Sequence, residues 1–220
     1  MKNIILILLF IILPAAAYAE APAADRPHWS LEVKGGTFSP DIVGWATYYG
    51  DRSTGRFEGS LAYKILRQVE AGVAVGRIRD GGQGWAPVHS TLGGHINYQL
   101  FPVNAFLVLR GIFAENQWVV PYVGGGWTRM YYKEELSLQP TIRGYADGYH
   151  ARAGLQFLLD ALDERAATNM LRDFGVFHTY FFIEAQRTRA MIDTVSTTTS
   201  PSESINLGGT SWLGGLLFEF

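Results

Sequence analysis

The sequence predicts an all-β fold: an eight-stranded antiparallel transmembrane β-barrel with one short periplasmic helix. Three observations carry this reading. First, the final segment alternates, with Trp212, Leu216, Phe218 and Phe220 on one face and Ser211, Leu213, Leu217 and Glu219 on the other. An aromatic edge strand left open in water invites aggregation, whereas a barrel closes that edge against its first strand. Second, no stretch beyond residue 19 approaches the ~18 continuous apolar residues of a spanning helix. Third, glycine reaches 25 residues and aromatics 14%, a combination that suits tight turns and interfacial girdles.

The start of the chain is consistent with export. Lys2 supplies one positive charge, Ile4 to Leu13 form an apolar run, and Ala17-Tyr18-Ala19 places small residues where a signal peptidase reads them. Residues 1–19 are therefore expected to be a cleaved signal peptide, 20–27 a short Ala- and Pro-rich leader, and 28–220 the barrel domain. The run is too short to cross ~30 Å of hydrocarbon comfortably as an anchor. Loss of Lys2 leaves 17 basic and 20 acidic residues, a net charge of −3, with no reason to expect nucleic acid as a partner. There is no cysteine, so disulfides, thiolate metal sites and thiol nucleophiles are excluded.

Both termini of such a barrel face the periplasm, which demands an even number of strands. Strand one is expected from His28 to Ser39, with Trp29, Leu31 and Val33 opposite Ser30, Glu32 and Lys34. Residues 40–55 form an outer loop carrying Trp45, Tyr48 and Tyr49. Strand two, Arg56 to Leu66, sets Phe57, Gly59, Leu61, Tyr63 and Ile65 against Glu58, Ser60, Ala62 and Lys64. A turn at Arg67-Gln68 leads to strand three, Val69 to Arg79, and Asp80 to Gly84 reads as a loop. Thr91 to Phe113 is either two strands or one strand interrupted by Pro102. Parity selects one strand, with Pro102 at a bulge or at the membrane boundary and a turn at Ala114 to Gln117.

Strand five runs from Trp118 to Tyr132, with the facing of Arg129 left open between lumen and exterior. Lys133 to Gly148 reads as a loop. Strand six, Tyr149 to Leu158, points His150, Arg152, Gly154 and Gln156 inward. Strand seven, His178 to Met191, points Glu184 and Gln186 inward and Phe181, Ile183 and Ala185 to lipid. Asp193 to Asn206 is a Ser/Thr-rich outer loop before the closing strand. Between strands six and seven, Leu162, Ala166, Met170 and Phe174 recur at helical spacing, with Asp160 as N-cap and Gly175 as the stop. The preferred reading of this helix is a turn that covers the barrel mouth. The alternatives are an interfacial helix on the inner leaflet or a docking site for a periplasmic partner at 160–174.

An eight-stranded barrel is just wide enough for side chains to fill. The expected inward set, Glu32, Lys34, Glu58, Lys64, Glu70, Arg110, His150, Arg152, Gln156, Glu184 and Glu219, carries both signs. It reads as an ion-pair and hydrogen-bond network, with a gated polar pore as the alternative.

Eight strands, the Pro121-Tyr122-Val123-Gly124-Gly125-Gly126 stretch, the Leu107-Val108-Leu109-Arg110 strand before it and the terminal Phe220 resemble the small bacterial outer-membrane barrel superfamily of OmpA and OmpW types. The resemblance covers roughly residues 28 to 220. It implies an outer-membrane location among lipid and lipopolysaccharide, with insertion by the barrel assembly machinery. It also implies that Trp212, Leu216, Phe218 and Phe220 form the assembly signal. Roles in the superfamily include anchoring, adhesion, passage of small hydrophobic solutes and lipid A modification, and the helical turn departs from its minimal pattern.

Catalysis finds little footing. His28, His89, His95, His150 and His178 are the histidines, and only His89 adjoins a serine, Ser90. Neighbouring residues on a strand point to opposite faces, so that pair cannot cooperate within a regular strand. No metal-binding spacing occurs, and no cofactor is expected. A lipocalin-like soluble barrel would reverse the two faces, and the terminal Phe220 and export signal argue against it. The sequence therefore points to a structural or surface-interaction barrel. A narrow pore for small or hydrophobic solutes is second, and a lipid A-modifying enzyme third.

Overall fold

In a computed structural model, the chain is described over residues 27–42, 45, 53–86, 91–114, 117–136, 141–193 and 204–220. The expected signal peptide, most of the leader, Tyr48, Tyr49 and the His89-Ser90 pair lie outside the described residues. The elements are β1 (Trp29–Pro40), β2 (Thr54–Leu66), β3 (Val69–Ala86), β4 (Thr91–Arg110), β5 (Val119–Leu136), β6 (Ile142–Leu158), α1 (Glu164–Phe174), β7 (His178–Asp193), β8 (Ser204–Asn206) and β9 (Gly209–Glu219).

Strands β1 to β7 and β9 form one closed antiparallel ring. Each pairs with its neighbour in sequence, β7 pairs with β9, and β9 closes on β1 through Ser30↔Glu219 to Pro40↔Gly209. The short β8 only extends the outer end of β7. Closure leaves no edge among the eight barrel strands and so removes the aggregation hazard of the terminal strand. The seam is finished by backbone bonds from His28 N and Trp29 N to Phe220 O and from Phe220 N to Trp29 O. Turns 67–68 and 111–118 and the segment bearing α1 share this terminal end. The other connections lie at the opposite end, here called the loop end.

Period-two alternation is inverted relative to a soluble protein. Phe57, Val73, Val75, Leu107, Tyr149 and Trp212 are more than half exposed outside, while Glu58, Arg110, Lys34 and Glu184 are almost wholly buried inside. No helix among the described residues is long and apolar enough to cross a membrane, which says nothing of the strands.

Several expected boundaries are corrected. Asp80 to Gly84 is not a loop: β3 continues to Ala86 and pairs Gly81↔Asn97 and Gln83↔His95 with β4. Lys133 to Gly148 is mostly strand, with Lys133↔Arg143 and Arg129↔Asp147 in the β5–β6 ladder, so only residues 137–141 connect the two strands. In both places glycine and charge mimic turn composition, while the hairpins simply extend further. Thr54 and Gly55 likewise belong to β2, and 204–206 to β8.

Residues 91–110 form one strand, and Pro102 makes no bulge in it. The ladder to β5 runs through Pro102↔Met130, and on the β3 side the register is the same before and after the proline, at Val75↔Val103 and Ile78↔Leu100. A Cβ on Gly76 would lie 3.0 Å from the Pro102 ring, so glycine makes the room the ring needs. Arg129 faces outward, paired with Asp147 at 2.8 and 2.9 Å. The cap of α1 is Asp163, not Asp160: its carboxylate accepts from Arg165 N and Ala166 N. Asp160 instead bonds His178 Nδ1 (2.9 Å) and Thr179 N (3.0 Å), pinning the loop to the start of β7. No residue of α1 is buried, and Ala167 and Met170 are half-buried.

Candidate functional site: the barrel interior

The interior falls into three zones. At the terminal end, Arg110 bridges Glu70 (2.7 Å) and Glu219, while Lys64 reaches Glu219 at 2.6 Å and Ser30 donates to Glu70 at 2.9 Å. The guanidinium of Arg110 also lies over the Tyr180 ring at 5.1 Å, which offers its face an electrostatic partner where Nε and Nη2 find no acceptor among the described residues. Beside this cluster pack Val108, Val120, Leu158, Phe182 and Leu217.

The central zone is denser in charge. Lys34 projects from β1 among three carboxylates: Glu184 at 2.8 Å, Glu58 at 3.0 Å and Glu32 at 3.7 Å. Arg152 on β6 reaches Glu32 at 3.1 Å and Glu184 at 3.5 Å, and lies over the Phe106 ring at 4.0 Å. Arg56 on β2 pairs with Glu58 and donates to Ser211 at 2.8 Å. Neutral groups complete the set: Tyr122 donates to Glu184, Ser60 to Glu32, and Thr128 joins Asn104 to His150 Nδ1. Gln156 is buried too, and its Oε1 has no donor among the described residues.

All eleven residues named from the sequence thus lie inside the barrel, ten of them buried and Lys64 nearly so. Those eleven carry five carboxylates against four permanent cations. Arg56 is the missing fifth cation, and with it the terminal cluster balances two against two and the centre three against three. Its parity with Glu58 on β2, and the one-charge deficit, were the signals that could have found it. Buried charges are tolerated only when paired and hydrogen-bonded, so this balance is what lets a charged lumen fold at all.

The third zone departs from the polar-interior expectation. Toward the loop end Phe38, Ile78, Leu100, Met130 and Ala146 are buried against Tyr98, Ala190 and Leu207. Trp45 comes back from the first outer connection and meets Tyr98 edge-on at 5.3 Å, so it is a buried packing residue and not an exposed contact of the loop. Apolar inward residues share the alternation of the strands, and alternation alone does not tell a polar lumen from an apolar one.

Among the described residues no group of three or more His, Asp or Glu side chains could hold a metal ion. His178 is engaged by Asp160, and His28 stacks on Tyr63 at 6.0 Å, both at the terminal end.

No known family profile matches the chain, and no curated protein matches it. Among solved structures, Neisserial surface protein A is similar at 11% identity over 87% of this chain and 97% of that one, with a TM-score of 0.54. The outer membrane protein OprG from Pseudomonas aeruginosa is similar at 13% identity over 89% of this chain and 97% of that one, with a TM-score of 0.56. At these identities the likeness is one of fold: a small closed barrel of the outer-membrane kind.

Proposed function

We propose that this protein is an outer-membrane β-barrel, exported through a cleaved signal peptide, with a structural or surface-interaction role and no catalytic one. The observation that carries the reading is the interior: five carboxylates and five cations, mutually paired and almost wholly buried. The apolar exterior and the likeness to small outer-membrane barrels support the location. Outer-membrane lipid and lipopolysaccharide are then its surroundings. Trp212, Leu216 and Phe218 on β9, with Phe220 just beyond it, then serve the barrel assembly machinery as its signal.

Planar-bilayer recording tests the closed lumen. The purified protein, shown to be folded by a heat-modifiable band in detergent gels, is expected to give no discrete conductance. Discrete steps that change with Arg110→Ala or Glu184→Gln would overturn the reading in favour of a narrow pore. One observation favours that second reading for hydrophobic solutes, the apolar zone at the loop end. For the absence of catalysis, overproduction is expected to leave the mass profile of lipid A unchanged.

A further inference from the structure

Helix α1 has the anatomy of an element built to be covered, yet among the described residues its apolar face is covered only in part, at the half-buried Ala167 and Met170. Its apolar residues, Ala167, Met170, Leu171 and Phe174, fall on one side of the helical wheel. Glu164, Arg165, Thr168, Asn169 and Arg172 fall on the other. Eleven residues are too few for a helix to be stable in water by propensity alone, and such helices normally draw their stability from burying the apolar face. Here no residue is buried; Phe174 is 71% and Leu171 45% exposed.

The ends, in contrast, are finished. Asp163 caps the first turn. Gly175, in the left-handed region at φ 71°, donates its N–H to Leu171 O, and Val176 after it is buried. The helix is also tied to the barrel wall. Five residues join it to β6 and three to β7, Leu158 and Tyr180 are ladder partners, and Asp160 holds the base of the loop. It can therefore reach only the rim of the terminal end. Other apolar side chains stand exposed at that end, Leu162 (74%), Phe113 (75%) and Trp118 (64%), and Phe157 and Phe181 stack on the wall nearby.

We infer that α1 is an interfacial helix whose apolar face is seated in the phospholipid leaflet surrounding the terminal end of the barrel. The occupant is lipid because short tethers hold this half-exposed apolar face at the rim of a barrel whose own outer wall is apolar. The polar face, with two arginines balanced by Glu164 and Asp173, is left to water and headgroups. The inference rests on the transmembrane reading of the barrel.

The chain has no cysteine, so single-cysteine variants give unique labelling sites. Leu171→Cys and Phe174→Cys on the apolar face, and Arg165→Cys and Asn169→Cys on the polar face, are spin-labelled in the full chain. The protein is then reconstituted in phosphatidylethanolamine–phosphatidylglycerol vesicles. Power saturation is expected to show labels at 171 and 174 several-fold richer in oxygen than in a water-soluble nickel chelate, with the order reversed at 165 and 169. Nickel access at all four positions would overturn the inference, and so would shielding of 171 and 174 from both reagents, which would mean a protein cover. Val73→Cys on the outer wall reports the barrel separately. If it too is nickel-accessible in heat-modifiable protein, the transmembrane reading has failed; if it is oxygen-rich while α1 is not, only the helix inference has.

Discussion

Replacing Lys34 by methionine removes a cation that touches three carboxylates in the centre of the barrel. The side chain has no exposed surface, so water cannot take over its role. At an effective dielectric of about 20, a unit-charge contact near 3 Å is worth about 5 kcal/mol before desolvation is subtracted. Much of that gain is offset in the native protein by the cost of burying the ammonium. After substitution the centre is left with Arg56 and Arg152 against Glu32, Glu58 and Glu184, and one carboxylate has lost its counter-charge. Breaking a buried pair from one side costs about 3–5 kcal/mol, and that is the expected destabilisation. Urea titration of vesicle-reconstituted protein, followed by tryptophan fluorescence, measures it. The double variant Lys34→Met with Glu184→Gln restores two against two and is expected to recover stability, with a coupling of about 0.5–3 kcal/mol. A single-variant cost below about 1 kcal/mol, or a double variant that is merely the sum of its parts, would refute the claim that charge balance holds this lumen.

Glycine 126 should not tolerate a methyl group. A Cβ there would meet Ala105 O at 1.9 Å, a backbone atom that cannot step aside, so Gly126→Ala is expected to cost about 1–3 kcal/mol in the same titration. Gly55→Ala, with nothing within 4 Å, should change stability by about 0.5 kcal/mol or less. Asp163→Ala deletes two cap bonds worth about 0.5–2 kcal/mol to the helix. Hydrogen exchange should quicken by about 2- to 30-fold across 164–174, while the β1–β9 ladder is unchanged. Exchange that stays slow would show that α1 draws its order from elsewhere.

Register was legible in the sequence because period two is a strict rule, and one slipped residue would have put Lys34 or Glu58 into the hydrophobic exterior. The inward facing of Arg152, Glu184 and Glu219 follows from it, as does the single strand through Pro102 once parity is imposed. Strand ends were not legible. Toward the loop end glycines and charges interrupt the alternation, so Asp80 to Gly84 and Lys133 to Gly148 look like loops by composition. The outward facing of Arg129 depended on Asp147, a partner on the next strand that spacing along β5 cannot reveal. The helix start moved from Asp160 to Asp163 because either aspartate could cap, and the choice was made by His178, which engages the first from the base of β7.

The arrangement of the interior also constrains what the lumen can do. A path along the axis would have to part Lys34 from Glu184 and Glu58, and Arg110 from Glu70 and Glu219, and then pass the packed side chains around Phe38 and Leu100. Each broken pair leaves a buried charge exposed to low dielectric unless water enters at the same step, so opening has to be concerted across zones held by different strands. Such an interior favours stiffness. Stiffness in turn suits a barrel whose projecting parts lie outside the lumen: the long β5–β6 hairpin at one end and the capped helix α1 at the other. On this reading, substitutions within the ion-pair zones are expected to lower stability without changing any surface contact. Substitutions on the hairpin should do the reverse.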